Sequence, residues 1–173
     1  NCEDHLFCLS ELFSFAKSHK KALQVCFVDF KSAFDPVPRN ALLHTLRGLR
    51  IESNLYNSIA SLYKLTTAQA LANGTKSRTF RIDKGVAQGC PLSPTLFALF
   101  VNSLLTDINN SGIGSNIDGL RLGSLAYADD IVLLADNEQD IQALVNLTHN
   151  WCKKWGMFAN IGTCGSMTVG RKK

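Results

Sequence analysis

Two apolar runs, ALQVCFVDF (Ala22–Phe30) and LAYADDIVLLA (Leu125–Ala135), each carry aspartate between hydrophobic flanks. A carboxylate in such a setting is expensive unless something pairs with it. Both runs are short and rich in β-formers, so each reads as strand, with Asp129-Asp130 at or near a tight turn. Lys31 excepted, no Lys or Arg lies beside these aspartates in the chain. A hard divalent cation is a natural partner, because Mg²⁺ prefers carboxylate oxygen and keeps coordination sites for a phosphate substrate. Asp29, Asp129 and Asp130 would then be the protein's share of a two-cation site for phosphoryl transfer. The same residues also fit a plain turn pair and a strand-end aspartate facing solvent, since Asp is a common turn residue.

Order along the chain narrows the chemistry. A phosphorelay receiver also uses an aspartate pair and a single aspartate, but there the pair comes first. Here the single Asp29 comes first. A nuclease usually needs His or further Glu near its metals, and none of the four His lies close to these runs.

The 173 residues predict one domain, with 46% hydrophobic residues to build its core. No apolar run approaches about 20 residues, so no transmembrane helix is expected. The first residues carry acids and no basic n-region, so no signal peptide is expected either. The chain starts at Asn1 rather than Met and reads as an excised piece. Net charge is +4, but Gly85–Cys152 holds seven acids against Arg121 alone, which leaves that stretch at −6 and the remainder at +10. A basic body around an acidic middle suits a polyanion outside and cations inside, and it equally fits ordinary scatter of surface charge. The six cysteines include no Cys-x-x-Cys pair, which predicts reduced, intracellular usage. Cys2, His5 and Cys8, and separately His149 and Cys152, have zinc-compatible spacing that also fits one face of a helix.

Apolar periodicity predicts helices over 4–19, from Pro38 through Leu49, over Ser53–Lys64, from Thr95 to about Asn109, and over Glu138–Trp155. Trp151 and Trp155, one helical turn apart, read as core packing. Asn73-Gly74 predicts the turn of a hairpin spanning about 66–83. Leu120–Ala135 reads as strand, turn, strand, and residues 157–169 as one or two final strands. With the hairpin set aside and the two helical stretches before Asn109 merged into one crossover layer, the order is β-α-β-β-α-β. That is the ferredoxin-like α+β arrangement.

DFKSAFD (Asp29–Asp35), GVAQGCPLSP (Gly85–Pro94) and YADD (Tyr127–Asp130) resemble three successive core motifs of reverse transcriptases. The likeness covers about residues 5–170 and is nearest to the enzymes of non-LTR retrotransposons. It implies a right-hand polymerase palm with part of the fingers across 1–173, without thumb or N-terminal fingertips. It further implies RNA-directed DNA synthesis in the nucleus, with Mg²⁺ (Mn²⁺ as a substitute), an RNA template, a DNA primer and a dNTP. By the same resemblance, Asp29, Asp129 and Asp130 are catalytic metal ligands, with Asp129 favoured for direct ligation. Phe34, Gln88, Gly89 and Tyr127 line the nucleotide site, Phe34 excluding a 2′-hydroxyl by steric clash. Lys76, Arg78, Arg81 and Lys84, on or beside the hairpin, suit phosphate contacts along a template path. They fit a solvated strand face equally, and parity keeps Arg78 off the face of Lys76 and Lys84.

Two residues depart from the family pattern. GMFAN (Gly156–Asn160) resembles the start of a fourth motif whose later Lys position is Thr163 here. Ala87 stands where relatives commonly carry Arg. Lys172 or Lys173 could replace the missing Lys if the tail folds back. These departures keep open a catalytically silent nucleic-acid-binding relic, and a self-associating structural module remains a third reading. The sequence leaves the oligomeric state undetermined.

Overall fold

A computed structural model of the chain describes residues 2–170. The Arg171–Lys173 tail and the side chain of Cys2 lie outside the described residues. Helix α1 (Cys2–Ser18) leads to strand β1 (Leu23–Val28), then to helices α2 (Arg39–Gly48) and α3 (Ser53–Lys64). Four two-residue strands follow: β2 (Thr67–Ala68), β3 (Leu71–Ala72), β4 (Thr75–Lys76) and β5 (Phe80–Arg81). Helix α4 (Ser93–Asn110) precedes β6 (Ser115–Ile117), β7 (Leu120–Leu122), β8 (Ser124–Tyr127) and β9 (Asp130–Ala135). Helix α5 (Glu138–Trp155) and strand β10 (Gly165–Val169) close the chain. No helix among the described residues is long and apolar enough to cross a membrane.

The residues divide into two compact units, one from the segments up to Ala33 and from Val101 onward, the other from Phe34–Phe100. The first unit holds a four-stranded antiparallel sheet in the order β10-β1-β9-β8. Numbered by appearance, that is 4-1-3-2, the order expected of a ferredoxin-like core. Within this unit the crossover from β1 to β8 runs through the later part of α4. The helices α2 and α3 belong to the second unit.

Strand periodicity sorts the core. Leu23, Val25, Leu134 and Val169 pack with Leu12 and Ala16 of α1, and Phe27 and Val132 join them. Ile131 and Leu133, of opposite parity, are equally buried on the other side of β9. Helix α5 packs against β1 and β9 and buries Leu144 and Trp151. The Trp151 indole donates to Ser103 Oγ at 2.9 Å, so its core assignment holds with its N–H satisfied. Each fully buried aliphatic contributes about 1.5–3 kcal/mol. The ends of α5 are closed locally. The Asn137 side chain accepts from the Asp140 N–H at 2.8 Å, and the Met157 N–H bonds Cys152 O at 2.9 Å past Gly156.

Two boundaries differ from expectation. The predicted strand from Leu120 breaks at Gly123, where a Cβ would lie 2.7 Å from Ile113 O and 2.8 Å from an Ile108 methyl carbon. Only glycine admits that approach, and before it β7 pairs with β6 through an Asp118-Gly119 turn, the same kind of signal as Asn73-Gly74. Helix α4 starts at Ser93, two residues early, because Pro94 is tolerated in a first turn and the Ser93 hydroxyl bonds Ala87 O.

In the second unit, α2 buries Ala41, Leu42 and Leu46, α3 buries Ile59 and Tyr63, and α4 buries Leu96, Phe97 and Phe100. The hairpin forms about Asn73-Gly74, both at positive φ. Its register shifts by one between Ala68↔Phe80 and Leu71↔Lys76, an extra residue on the return side around Ser77–Thr79.

Candidate active site

The first unit gathers the carboxylates. Asp29 follows the last residue of β1, and Asp130 opens β9. Val28 pairs with Ile131, so the register carried one step further sets Asp29 opposite Asp130. Both share parity with Phe27 and Val132, and both line a cavity of about 250 Å³ with Tyr127, Thr163 and His5. Tyr127 is the cross-strand partner of Asp130, and its ring lies 6.0 Å from that of His5. Asp129 takes the second position of the β8–β9 turn and is not among the residues lining the cavity. Ala128, at the first turn position, has φ +54°. A side chain there stores strain of about 1–2 kcal/mol, in the turn that aims the aspartates.

Asp29 is clamped from the far end of the sequence. The Asn160 N–H donates to Asp29 O at 2.8 Å, and the Asp29 N–H lies 3.5 Å from Cys164 Sγ. The Thr163 hydroxyl donates to Asp29 Oδ2 at 2.5 Å, and Asn160 Nδ2 donates to the same oxygen at 3.3 Å. Thr163, a departure from the family pattern, is thus a direct partner of the first carboxylate. Asn160 belongs to the fourth-motif segment, yet nothing local in that segment points to Asp29. Hydrogen bonds across more than 130 residues have no sequence signal of their own.

Among the described residues, no three His, Cys, Asp or Glu side chains converge enough to hold a metal ion by themselves. Of the zinc-like spacings, the first includes Cys2, whose side chain lies outside the described residues, and in the second His149 and Cys152 line one cavity with Cys26 and Cys164. For Mg²⁺ the donor set fits: two hard carboxylates face one cavity, and such ions take one or two carboxylates and complete their shell with substrate phosphates and water.

The second unit carries the other motif residues. Phe34 is half-buried, its ring 5.1 Å from that of Phe97. Gln88 is exposed and donates through Nε2 to Asp35 Oδ1 at 2.8 Å. The Val86 N–H bonds Phe34 O at 2.9 Å, and the Gly85 N–H bonds Val37 O at 2.8 Å, which laces the GVAQG loop to the DFKSAFD segment. Gly85 sits at φ +88°, and a Cβ there would meet Asp35 O at 2.8 Å, so only glycine fits. Gly89 also has positive φ, in open space.

Arg39, which sequence reasoning missed, holds the same loop. Its Nε donates to Gly85 O at 3.0 Å and its Nη1 to Tyr63 O at 3.1 Å and Ile82 O at 2.6 Å. Lys76, Arg78, Arg81 and Lys84 are all exposed. Arg81 pairs with Asp83 at 2.7 Å, and the shifted hairpin register resets the parity of the return strand after Lys76.

The family model for "Reverse transcriptase (RNA-dependent DNA polymerase)" matches residues 2–167. The Pol polyprotein of the type-1 retrotransposable element R2 of Popillia japonica is 32% identical over 93% of this chain, which spans 23% of that relative. The RNA-directed DNA polymerase of mobile element jockey from Drosophila funebris is 30% identical over 83% of this chain, which spans 16% of it. The chain therefore spans about a quarter or less of these relatives. Apo telomerase of Candida tropicalis, truncated from its C-terminal domain, superposes with a TM-score of 0.71 at 16% identity, over 98% of this chain and 36% of that one. That likeness is one of fold, and it agrees with the expected α+β palm architecture. Motif order, sheet order and the match over nearly the whole chain converge: this chain belongs to the reverse transcriptase family, as represented in non-LTR retrotransposons.

Proposed function

We propose that the chain is the palm, with part of the fingers, of an RNA-directed DNA polymerase. The observation that carries this reading is that Asp29, just past β1, and Asp130, at the start of the neighbouring strand β9, line one cavity. The reaction is attack by a primer 3′-hydroxyl oxygen on the α-phosphorus of a dNTP. A new O–P bond forms as the hydroxyl gives up its proton to solvent, the bond to the bridging oxygen breaks, and pyrophosphate leaves with the electron pair.

Asp29 and Asp130, with Asp129 in the adjoining turn, are the residues that would hold Mg²⁺, or Mn²⁺ in its place. When bound, the ion supplies charge neutralisation for the transferring phosphoryl group. The rest of the chain orients the reactants. Tyr127 lines the cavity beside Asp130. Phe34, buttressed by Phe97, would exclude a 2′-hydroxyl from the incoming sugar. Gln88 and Gly89 would meet the incoming nucleotide, Gln88 steadied by Asp35. Lys76, Arg78, Arg81 and Lys84, on or beside the 66–83 hairpin, would contact template phosphates. The RNA template is supported by the family and by the name of the jockey relative. DNA primer and dNTP complete the proposed partners. Insertion of element copies into a chromosome would make the nucleus the site of action.

The test is primer extension on an RNA template with Mg²⁺, using the chain and its Asp29→Asn and Asp129→Asn variants. Extension by the parent, lost in both variants, is the expected result. Extension that survives both substitutions would overturn the proposal.

A further inference from the structure

We propose that Thr163, braced by Asn160, is a positioning residue that fixes the Asp29 carboxylate for divalent-cation binding. This rests on Asp29 being a metal ligand. Asp29 stands just past β1, where the ladder to β9 has ended, so its backbone is held by the 160–164 segment instead. An aspartate at such an end turns freely about its two side-chain bonds unless something holds it. Here two donors fall on the same oxygen, Oδ2, and the described residues give Oδ1 no hydrogen bond. One carboxylate oxygen is pinned while the other stays available to an ion.

Thr163 is itself well held. Its N–H bonds Asn160 O at 3.0 Å, and its β-branched side chain has few rotamers. Its hydroxyl lies 3.1 Å from Asn160 O but 2.5 Å from Asp29 Oδ2. A hydroxyl has a single proton, and the charged acceptor at the shorter distance takes it. That proton is committed to Asp29, which gives Thr163 a positioning role rather than that of an acid toward a leaving group. Polar partners that orient metal-binding side chains typically contribute about 10–100-fold in metal affinity.

The experiment titrates Mn²⁺ into the chain with a dNTP present and reads free Mn²⁺ by electron paramagnetic resonance. The variants are Thr163→Val, Thr163→Ala, Thr163→Ser and Asp29→Asn, each with a melting temperature. Thr163→Val and Thr163→Ala should weaken Mn²⁺ binding about 10-fold or more. Thr163→Ser should restore it, and Asp29→Asn should abolish binding at this site. The two branches separate the claims. If the Val and Ala variants bind like the parent while Asp29→Asn does not, Thr163 has no positioning role and the metal reading stands. If Asp29→Asn binds like the parent, Asp29 is no ligand and both fall. Tighter binding by Thr163→Val would also overturn the proposal, since the hydroxyl would then be competing with the ion.

Discussion

Replacing Arg39 tests whether one buried guanidinium organises the GVAQG loop. Its three hydrogen bonds all end on neutral backbone carbonyls, of Gly85, Tyr63 and Ile82. Its guanidinium carbon also lies 4.9 Å from the Tyr63 ring centroid. Burial pulls the group below the usual arginine range, while Tyr63 and Asp83 act to raise it. A hydrogen bond to a charged donor contributes roughly 1.5–3 kcal/mol, and such values do not add fully when the partners share one group. Arg39→Met removes all three donors and leaves three carbonyls stranded at about 1–3 kcal/mol each, less than additively, which should cost about 3–5 kcal/mol in all. Arg39→Lys keeps the charge but loses the planar fork and should cost about 2 kcal/mol. Urea unfolding reads the effect directly, and with a slope of about 2 kcal/mol per molar the Met variant should shift its midpoint by about 2 M. Far-UV circular dichroism is the right probe, because Trp151 and Trp155 both lie in the other unit. A Met variant within about 1 kcal/mol of the parent, or a Lys variant equal to it, would refute the reasoning.

Three other outcomes are expected. Ala128→Gly should hold or raise the melting temperature, since it relieves the φ of +54°, whereas Ala128→Val should lower it; a Val variant as stable as the parent would mean the turn is unstrained. Burial pushes the Cys152 thiol up to about 11 from an ordinary 9.0, so its stabilising contribution is complete below pH 9 and is lost as pH rises toward 11. Iodoacetamide at pH 8 should accordingly label exposed Cys8 and spare Cys152 until the chain unfolds, which peptide mass mapping would check. Phe34→Ala should raise ribonucleotide incorporation relative to deoxynucleotide by roughly 10-fold or more; unchanged sugar selectivity would remove Phe34 from the proposed nucleotide site.

Local pattern carried much of the architecture. Helices α3 and α5 coincide with the expected Ser53–Lys64 and Glu138–Trp155, because each shows an apolar stripe with clear ends. The Asn73-Gly74 hairpin formed for the same local reason, and the Asp118-Gly119 turn carries an equal signal. What stayed hidden depends on neighbours distant in sequence. The break after β7 falls at Gly123, where Ile108 and the Ile113 carbonyl leave no room for a Cβ. Arg39 looks like an ordinary first-turn arginine until three carbonyls close around it. Thr163 is legible as a missing Lys, but its bond to Asp29 exists only once β10 pairs beside β1. The aspartates stood out in the sequence by their apolar flanks, yet Asp130 is exposed and Asp29 and Asp129 are only half-buried, and the cavity that Asp29 and Asp130 share depends on strand register.

The most direct measurement is single-turnover incorporation of one dNTP on an RNA-templated primer, comparing the chain with Asp29→Asn, Asp129→Asn and Asp130→Asn. Template–primer binding is measured in parallel. Asp29→Asn should slow incorporation by roughly 100-fold or more while binding persists, with losses in the turn variants as well. An Asp29→Asn chain that incorporates at the parent's rate would contradict the proposed function.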